Sequence, residues 1–223
     1  MSFGYRLAIF DLDGTILDTL TDLTDAVNVA LQKNGYPTHT EQAICSFVGN
    51  GVRKLVERAT PKGTDAALVA RVFEDFHAYY AAHSIVKTAP FAGITDLLAT
   101  LQRQGVQTAV LSNKADAITK QLCFDMFGDA FSIVLGEREE QGVPRKPAPD
   151  AVFEIVQALG ATKEQTVYVG DSEVDIKTAK NAGIDAILVS WGFRDKAFLR
   201  EQGAALIVDT VKELEGAICT VRS

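Results

Sequence analysis

Short apolar runs alternate with amphipathic segments along most of this chain, and that alternation restricts the fold more than any other feature. The runs are 7–10, 107–111, 132–135, 166–169 and 186–189, each of strand length and rich in Val, Ile and Leu. Between them the apolar spacing changes to that of a helix. Ile94, Leu97, Leu98 and Leu101 fall on one helical face, and Gly105 ends it. Val152, Ile155, Val156 and Leu159 repeat the device, with Pro149 near the start and Gly160 at the end. Ile176, Ala179 and Ala182, followed by Gly183, form a third such face. Strands and helices alternating at this pace predict an α/β fold, with a parallel sheet covered by helices on both faces.

One stretch breaks the pattern. Residues 21–86 hold no convincing strand. Leu23, Val27 and Leu31 predict a helix ending at Gly35 before Pro37. Val52, Leu55 and Val56 predict a second, and Leu68, Val72, Phe76 and Tyr80 a third, longer one. The expected organisation is an α/β core from residues 1–20 and 87–223, with a helical cap at 21–86 acting as a lid.

The sequence of 223 residues suffices for one substantial core with a smaller insertion. A net charge of −7 with no basic stretch argues against a nucleic-acid partner. No apolar run approaches membrane-spanning length, and the N-terminus meets Asp11 too soon for a secretory signal. Cys45, Cys123 and Cys219 are scattered without metal-ligand spacing and read as reduced thiols. A cytoplasmic protein with a small-molecule partner is expected. Composition leaves monomer and homodimer equally open.

Four segments carry chemistry. The run 7–10 breaks into Asp11-Leu12-Asp13-Gly14-Thr15, two acids one residue apart beside a glycine and a hydroxyl. Two such carboxylates repel unless a cation stands between them, and a hard divalent ion with oxygen ligands does so well. Ser112-Asn113 follows the run 107–111, where a hydroxyl and backbone N–H groups can hold a phosphoryl oxygen. Lys146 lies between Pro144 and Pro147, with Arg145 as the alternative cation. The run 166–169 ends in Gly170-Asp171-Ser172, and Asp175 falls in the first turn of a helix starting near Ser172. Each segment has an ordinary structural explanation: a polar turn, a helix cap, a solvated lysine. Together, at or near the C-terminal ends of parallel strands, they make an inventory for metal-assisted phosphoryl transfer.

With these residues assembled, the chain resembles the haloacid dehalogenase superfamily, and most of all its phosphoglycolate-phosphatase branch with an inserted helical cap. The resemblance implies a Rossmann-like core and a Mg²⁺-dependent phosphatase. It implies Asp11 as the nucleophile that forms an aspartyl-phosphate and Asp13 as acid/base. Ser112 and Asn113 would bind the phosphoryl group, and Lys146 would steady nucleophile and phosphate. Asp11, Asp13 and Asp171 would hold the metal, Thr15 would orient Asp13, and Asp175 would act from the metal's periphery. In the cap, residues 19–23, Asn28 and the loop Gly49-Asn50-Gly51 with Arg53 resemble phosphoglycolate-phosphatase text. Those loop N–H groups and the Arg53 guanidinium could meet a substrate carboxylate.

Other readings are weaker. Dehalogenases and phosphonoacetaldehyde hydrolases lack the second acid that Asp13 supplies, and sugar-phosphate mutases resembling β-phosphoglucomutase usually carry a histidine where Leu23 stands. A phosphoacceptor signalling domain needs no lid. A serine hydrolase at Ser172 needs a downstream histidine, yet His39, His77 and His83 all lie upstream and read as surface or cap-packing residues. Pyrophosphate, a nucleotide or a sugar phosphate competes with 2-phosphoglycolate as substrate, because selectivity lives in the cap loop.

Overall fold

Leu7, Ala8, Ile9 and Phe10 are wholly buried, and their alternation sends Leu7 and Ile9 to one face of a sheet and Ala8 and Phe10 to the other. Burying a side chain as large as Phe10 stabilises the fold by about 1.5–3 kcal/mol. The computed structural model describes residues 4–49 and 51–220. In chain order, β1 (Leu7–Phe10) and β2 (Leu17–Asp18) lead into α1 (Leu20–Lys33), α2 (Glu41–Phe47), α3 (Val52–Ala59) and α4 (Ala66–His83). Then come β3 (Ala89–Pro90), α5 (Ile94–Arg103), β4 (Gln107–Ala115), α6 (Asp116–Phe127), β5 (Ile133–Glu137) and α7 (Asp150–Ala158). The chain closes with β6 (Thr166–Gly170), α8 (Glu173–Ala182), β7 (Asp185–Val189), α9 (Lys196–Glu201), β8 (Ile207–Val208) and α10 (Val211–Cys219).

Six strands form one sheet in the order β5-β4-β1-β6-β7-β8, with parallel pairing throughout. Residues from α5, α6 and α10 pack on one face, and residues from α7 and α8 on the other. The expected α/β core with helices on both faces is therefore the fold observed. The chain steps from β1 to β4 and β5 on one side, then returns to β6, β7 and β8 on the other. The crevice at the carboxyl ends of β1 and β6 is thus the topological switch point, where open α/β sheets bind ligands.

The chain divides into two compact units: residues 18–89, and the remainder. The helical unit has its own core, built from Leu23, Val27 and Leu31 of α1, Ile44 of α2, Leu55 and Val56 of α3, and Val72, Phe76 and Tyr80 of α4. The short strands β2 and β3, where the chain leaves and re-enters the α/β unit, pair with each other.

One strand end and one helix differ from expectation. Strand β4 runs on through Ser112 and Asn113 to Ala115, with a register shift against β5 between Leu111 and Ala115. Ser112 therefore lies inside an irregular strand end rather than after it. Helix α2 has no counterpart in the apolar spacing, because Ile44 is its one fully buried residue and Phe47 packs only in part, too few positions to make a period.

Candidate active site

Register brings the separated motifs together. Phe10 pairs with Val110 on one side and Val169 on the other. The next residue, Asp11, stands level with Leu111 and Gly170, and its N–H donates to Val169 O at 2.8 Å. Asp11, Ser112 and Asp171 thus emerge at the same end of three adjacent strands. Gly14 permits the turn after Asp11: its φ is +80°, and a Cβ there would press on Asp171 Oδ2 and the Phe193 ring. Gly192 is equally constrained, since a Cβ would collide with the Asp171 side chain and the Gly14 carbonyl.

Lys146 organises the centre. Its Nζ lies 2.8 Å from Asp11 Oδ1, 2.9 Å from Asp175 Oδ1 and 3.0 Å from the Tyr168 hydroxyl, so all three ammonium protons have acceptors. The side chain is 3% exposed. Burial disfavours its charge, but Asp11 and Asp175 outweigh that and hold the ammonium well above the ordinary lysine value. Arg145, the alternative cation, is half-buried and lies 3.5 Å from Glu139. The Tyr168 hydroxyl donates to Leu111 O at 3.0 Å, bracing Lys146 against β4.

The carboxylates are crowded. Asp11, Asp171 and Asp175 each offer an oxygen within 4.8 Å of the others. Burial pushes Asp11 up to about 7 against the pull of Lys146, and repulsion from Asp175 and Asp13 adds to the rise. Burial, followed by the charges of Asp175 and Asp11, also raises Asp171 well above the carboxylate range. With Asp13 included, four acids face two ammonium groups, Lys146 and Lys114, leaving two negative charges over. An all-oxygen donor set with that excess suits a hard divalent cation.

Individual oxygens have distinct partners. Asp11 Oδ1 accepts from Leu12 N at 2.7 Å as well as from Lys146. Asp171 Oδ2 accepts from Phe193 N at 2.7 Å. Asp175 Oδ2 accepts from the N–H groups of Asp171 and Ser172 and from the Ser172 hydroxyl, at 3.2, 3.1 and 2.7 Å. Asp175 thus ties the β6 end to the first turn of α8, where a negative charge also suits the helix N-terminus.

Several expected positions take other partners. The Thr15 hydroxyl donates to Asp171 Oδ1 at 3.1 Å, so it orients the acid on β6 rather than Asp13. Asp13 is not one of the three clustered carboxylates; its Oδ1 lies 2.9 Å from Lys114 Nζ. Ser112 Oγ accepts from Lys114 N at 3.1 Å. Asn113 Nδ2 donates to Lys146 O at 3.0 Å, fixing the backbone that carries the lysine. In the helical unit, Gly49 and Gly51 lie between α2 and α3, and Asn50 is outside the described residues. Arg53 is exposed on α3, with Cζ 4.4 Å from the centre of the Phe73 ring.

Sequence reasoning passed over Lys114, Tyr168 and the backbone of Phe193. Lys114 directly follows Ser112-Asn113, but a lysine near a strand end usually reaches solvent and nothing local marks this one as buried. Tyr168 sits in mid-strand and reads as core, and a backbone donor has no signature in side chains. Of the histidines, His39 packs in the cap, with Nε2 2.7 Å from Ala59 O and its ring edge-on to Phe47, while His77 and His83 are exposed.

Comparison with known proteins agrees with this geometry. The family model for haloacid dehalogenase-like hydrolases matches residues 8–189. A phosphoglycolate phosphatase from Pseudomonas syringae pv. syringae is 34% identical, over 94% of this chain and 78% of its own. Its counterpart from Pseudomonas syringae pv. tomato is 32% identical over the same shares. A crystal structure from Lactobacillus delbrueckii subsp. bulgaricus, of a protein proposed to be a phosphoglycolate phosphatase, superposes with a TM-score of 0.93. It shares 42% identity and covers 97% of this chain and 99% of its own. Among the described residues no helix is long and apolar enough to cross a membrane.

Proposed function

We propose, from the premise that this chain belongs to the haloacid dehalogenase-like hydrolase family, that it hydrolyses a small phosphate monoester, 2-phosphoglycolate before others. Within that family it is a Mg²⁺-dependent phosphatase working through an aspartate motif. The observation that carries the reading is the Asp11 carboxylate at the switch point, with Oδ1 bound by Lys146 Nζ and Leu12 N.

With Oδ1 so held, Oδ2 is the oxygen for in-line attack on phosphorus. Carboxylate and phosphate monoester are both anionic, so their repulsion must be offset before they meet. Lys146 does part of this by keeping its proton and drawing charge from Asp11. Asp11 and Asp171, with Asp175 at the periphery because its oxygens are engaged by Lys146 and by the start of α8, would hold Mg²⁺, which when bound neutralises charge on the phosphoryl oxygens. Ser112 and the irregular end of β4 receive the phosphoryl group. Asp13 gives a proton to the departing ester oxygen as the Asp11–phosphorus bond forms. It then takes one from the water that cleaves the aspartyl-phosphate. Thr15 and Phe193 N hold Asp171 in place throughout. We assign selectivity to the cap loop of Gly49, Asn50 and Gly51 with Arg53, whose chemistry suits a substrate carboxylate.

A kcat/KM panel of phosphorylated metabolites with Mg²⁺ tests this, with 2-phosphoglycolate expected to lead pyrophosphate, nucleotides and sugar phosphates. Exhaustive chelation should abolish turnover, and Ca²⁺ should inhibit, since its tolerance of bidentate carboxylates blocks the attacking oxygen. Asp11→Asn should lose at least about 10³-fold in kcat with its circular dichroism unchanged. Near-normal turnover by that variant, with deamidation excluded, would overturn the mechanism. A different leading substrate would replace only the phosphoglycolate assignment.

A further inference from the structure

One buried cation enters the charge balance of the site but has no role yet in the reaction itself. Lys114 has a side chain 3% exposed, and its Nζ stands 2.9 Å from Asp13 Oδ1. Lysines are rarely buried, because an ammonium withdrawn from water loses several kcal/mol unless it is well paired. The backbone secures it at both ends. Lys114 N donates to Ser112 Oγ at 3.1 Å, and Lys114 O accepts from the fully buried Thr119 hydroxyl at 3.1 Å. The register shift between Leu111 and Ala115 turns the residue out of the regular ladder. One irregular segment therefore sets the hydroxyl of Ser112 and the ammonium beside Asp13 together.

The pairing is also selective. Two buried lysines divide the acids of the first motif between them: Lys146 takes Asp11, Lys114 takes Asp13. Asp13 Oδ1 has the ammonium at ion-pair distance.

We propose that Lys114 is a positioning residue for proton transfer, holding Asp13 by Oδ1 so that Oδ2 exchanges protons with the leaving group and with water. The inference rests on Asp13 being the acid/base of the reaction. In the first step the Asp13 proton passes to the ester oxygen as the oxygen–phosphorus bond breaks and the Asp11–phosphorus bond forms. In the second, water gives its proton to Asp13 while its oxygen displaces Asp11 from phosphorus. Lys114 keeps its own proton in both steps.

Leaving-group dependence separates this role from a merely structural one. Alkyl phosphates need their leaving oxygen protonated, whereas p-nitrophenolate leaves with little help. In Lys114→Met, of similar length and without the charge, kcat/KM for an alkyl phosphate should fall at least about tenfold further than that for p-nitrophenyl phosphate. Lys114→Gln, which keeps a donor, should give a smaller gap and guards against a Met variant that fails to fold. The double variant with Asp13→Asn should lose scarcely more than Asp13→Asn alone, because Lys114 acts through that residue. Equal losses on both substrates, or additive losses in the double variant, would overturn the proposal. Neither result touches the phosphatase reading, which stands or falls with Asp11→Asn.

Discussion

Buried acids serve opposite ends in the two units of this molecule. In the helical unit Asp22, 3% exposed in the first turn of α1, accepts from Lys87 N at 3.1 and 2.9 Å through its two oxygens. It also accepts from Thr88 N and the Thr88 hydroxyl, both at 2.8 Å. These partners are neutral donors, and the helix N-terminus favours the charge as well. Asn28 works in the same way, exchanging hydrogen bonds of 2.9 Å with both backbone groups of His39. In the α/β unit Asp11, Asp171 and Asp175 are instead forced within 4.8 Å of one another, and burial raises Asp11 to about 7. A buried acid surrounded by donors closes a fold. Buried acids crowded against each other make a place for a cation, and the fold pays for the crowding with its other contacts.

Substitutions that remove a charge test the contrast. The largest effect on stability should come from Lys146→Met, which strips Asp11 and Asp175 of their shared counterion. Breaking a buried pair costs about 3–5 kcal/mol. Urea denaturation without Mg²⁺ should register that loss, and a stability equal to wild type would show that the acids are not stressed. Asp22→Ala should cost about 3 kcal/mol by removing the acceptor of several buried donors. Here added Mg²⁺ should restore nothing, because the missing acceptor is structural.

Mg²⁺ itself separates the two kinds of acid. At about a hundred times its dissociation constant it should stabilise the wild-type protein by about 2.7 kcal/mol, as any ligand of the native state does. The gain should vanish in Asp171→Asn. A gain retained there would exclude Asp171 from the metal site. The smallest effect is expected in the cap loop. Arg53→Ala should lower the preference for 2-phosphoglycolate over a carboxylate-free aryl phosphate about tenfold, the value of one charge-assisted contact. An unchanged ratio would leave Arg53 as a packing partner of Phe73, and the helical unit as a region whose polar residues serve structure alone.

The legibility of the chain follows the same division. Strands β1 and β6 could be read because short Val- and Ile-rich runs end abruptly in acids, and α5, α7 and α8 because three or more apolar residues repeat on one face. Helix α2 escaped because one fully buried residue carries no period. Ser112 and Lys146 stood out by residue type and by their prolines and strand ends. Lys114 did not, since a lysine near a strand end usually reaches solvent and nothing local says that this one is buried.

What the sequence determined by itself was the inventory and its order: alternating strands and helices, an all-helical insert, and four polar segments at strand ends. Those are local properties, written in side-chain spacing and in residues that stop a strand. Only the tertiary structure decided which charge faces which. The register of β1 against β4 and β6 put Asp11, Ser112 and Asp171 side by side. The shift in β4 gave Lys114 to Asp13, and the turn before Phe193, with Thr15, claimed Asp171. Electrostatic partnership depends on distances of a few ångströms between residues as far as 156 positions apart, and only closing the sheet fixes such distances.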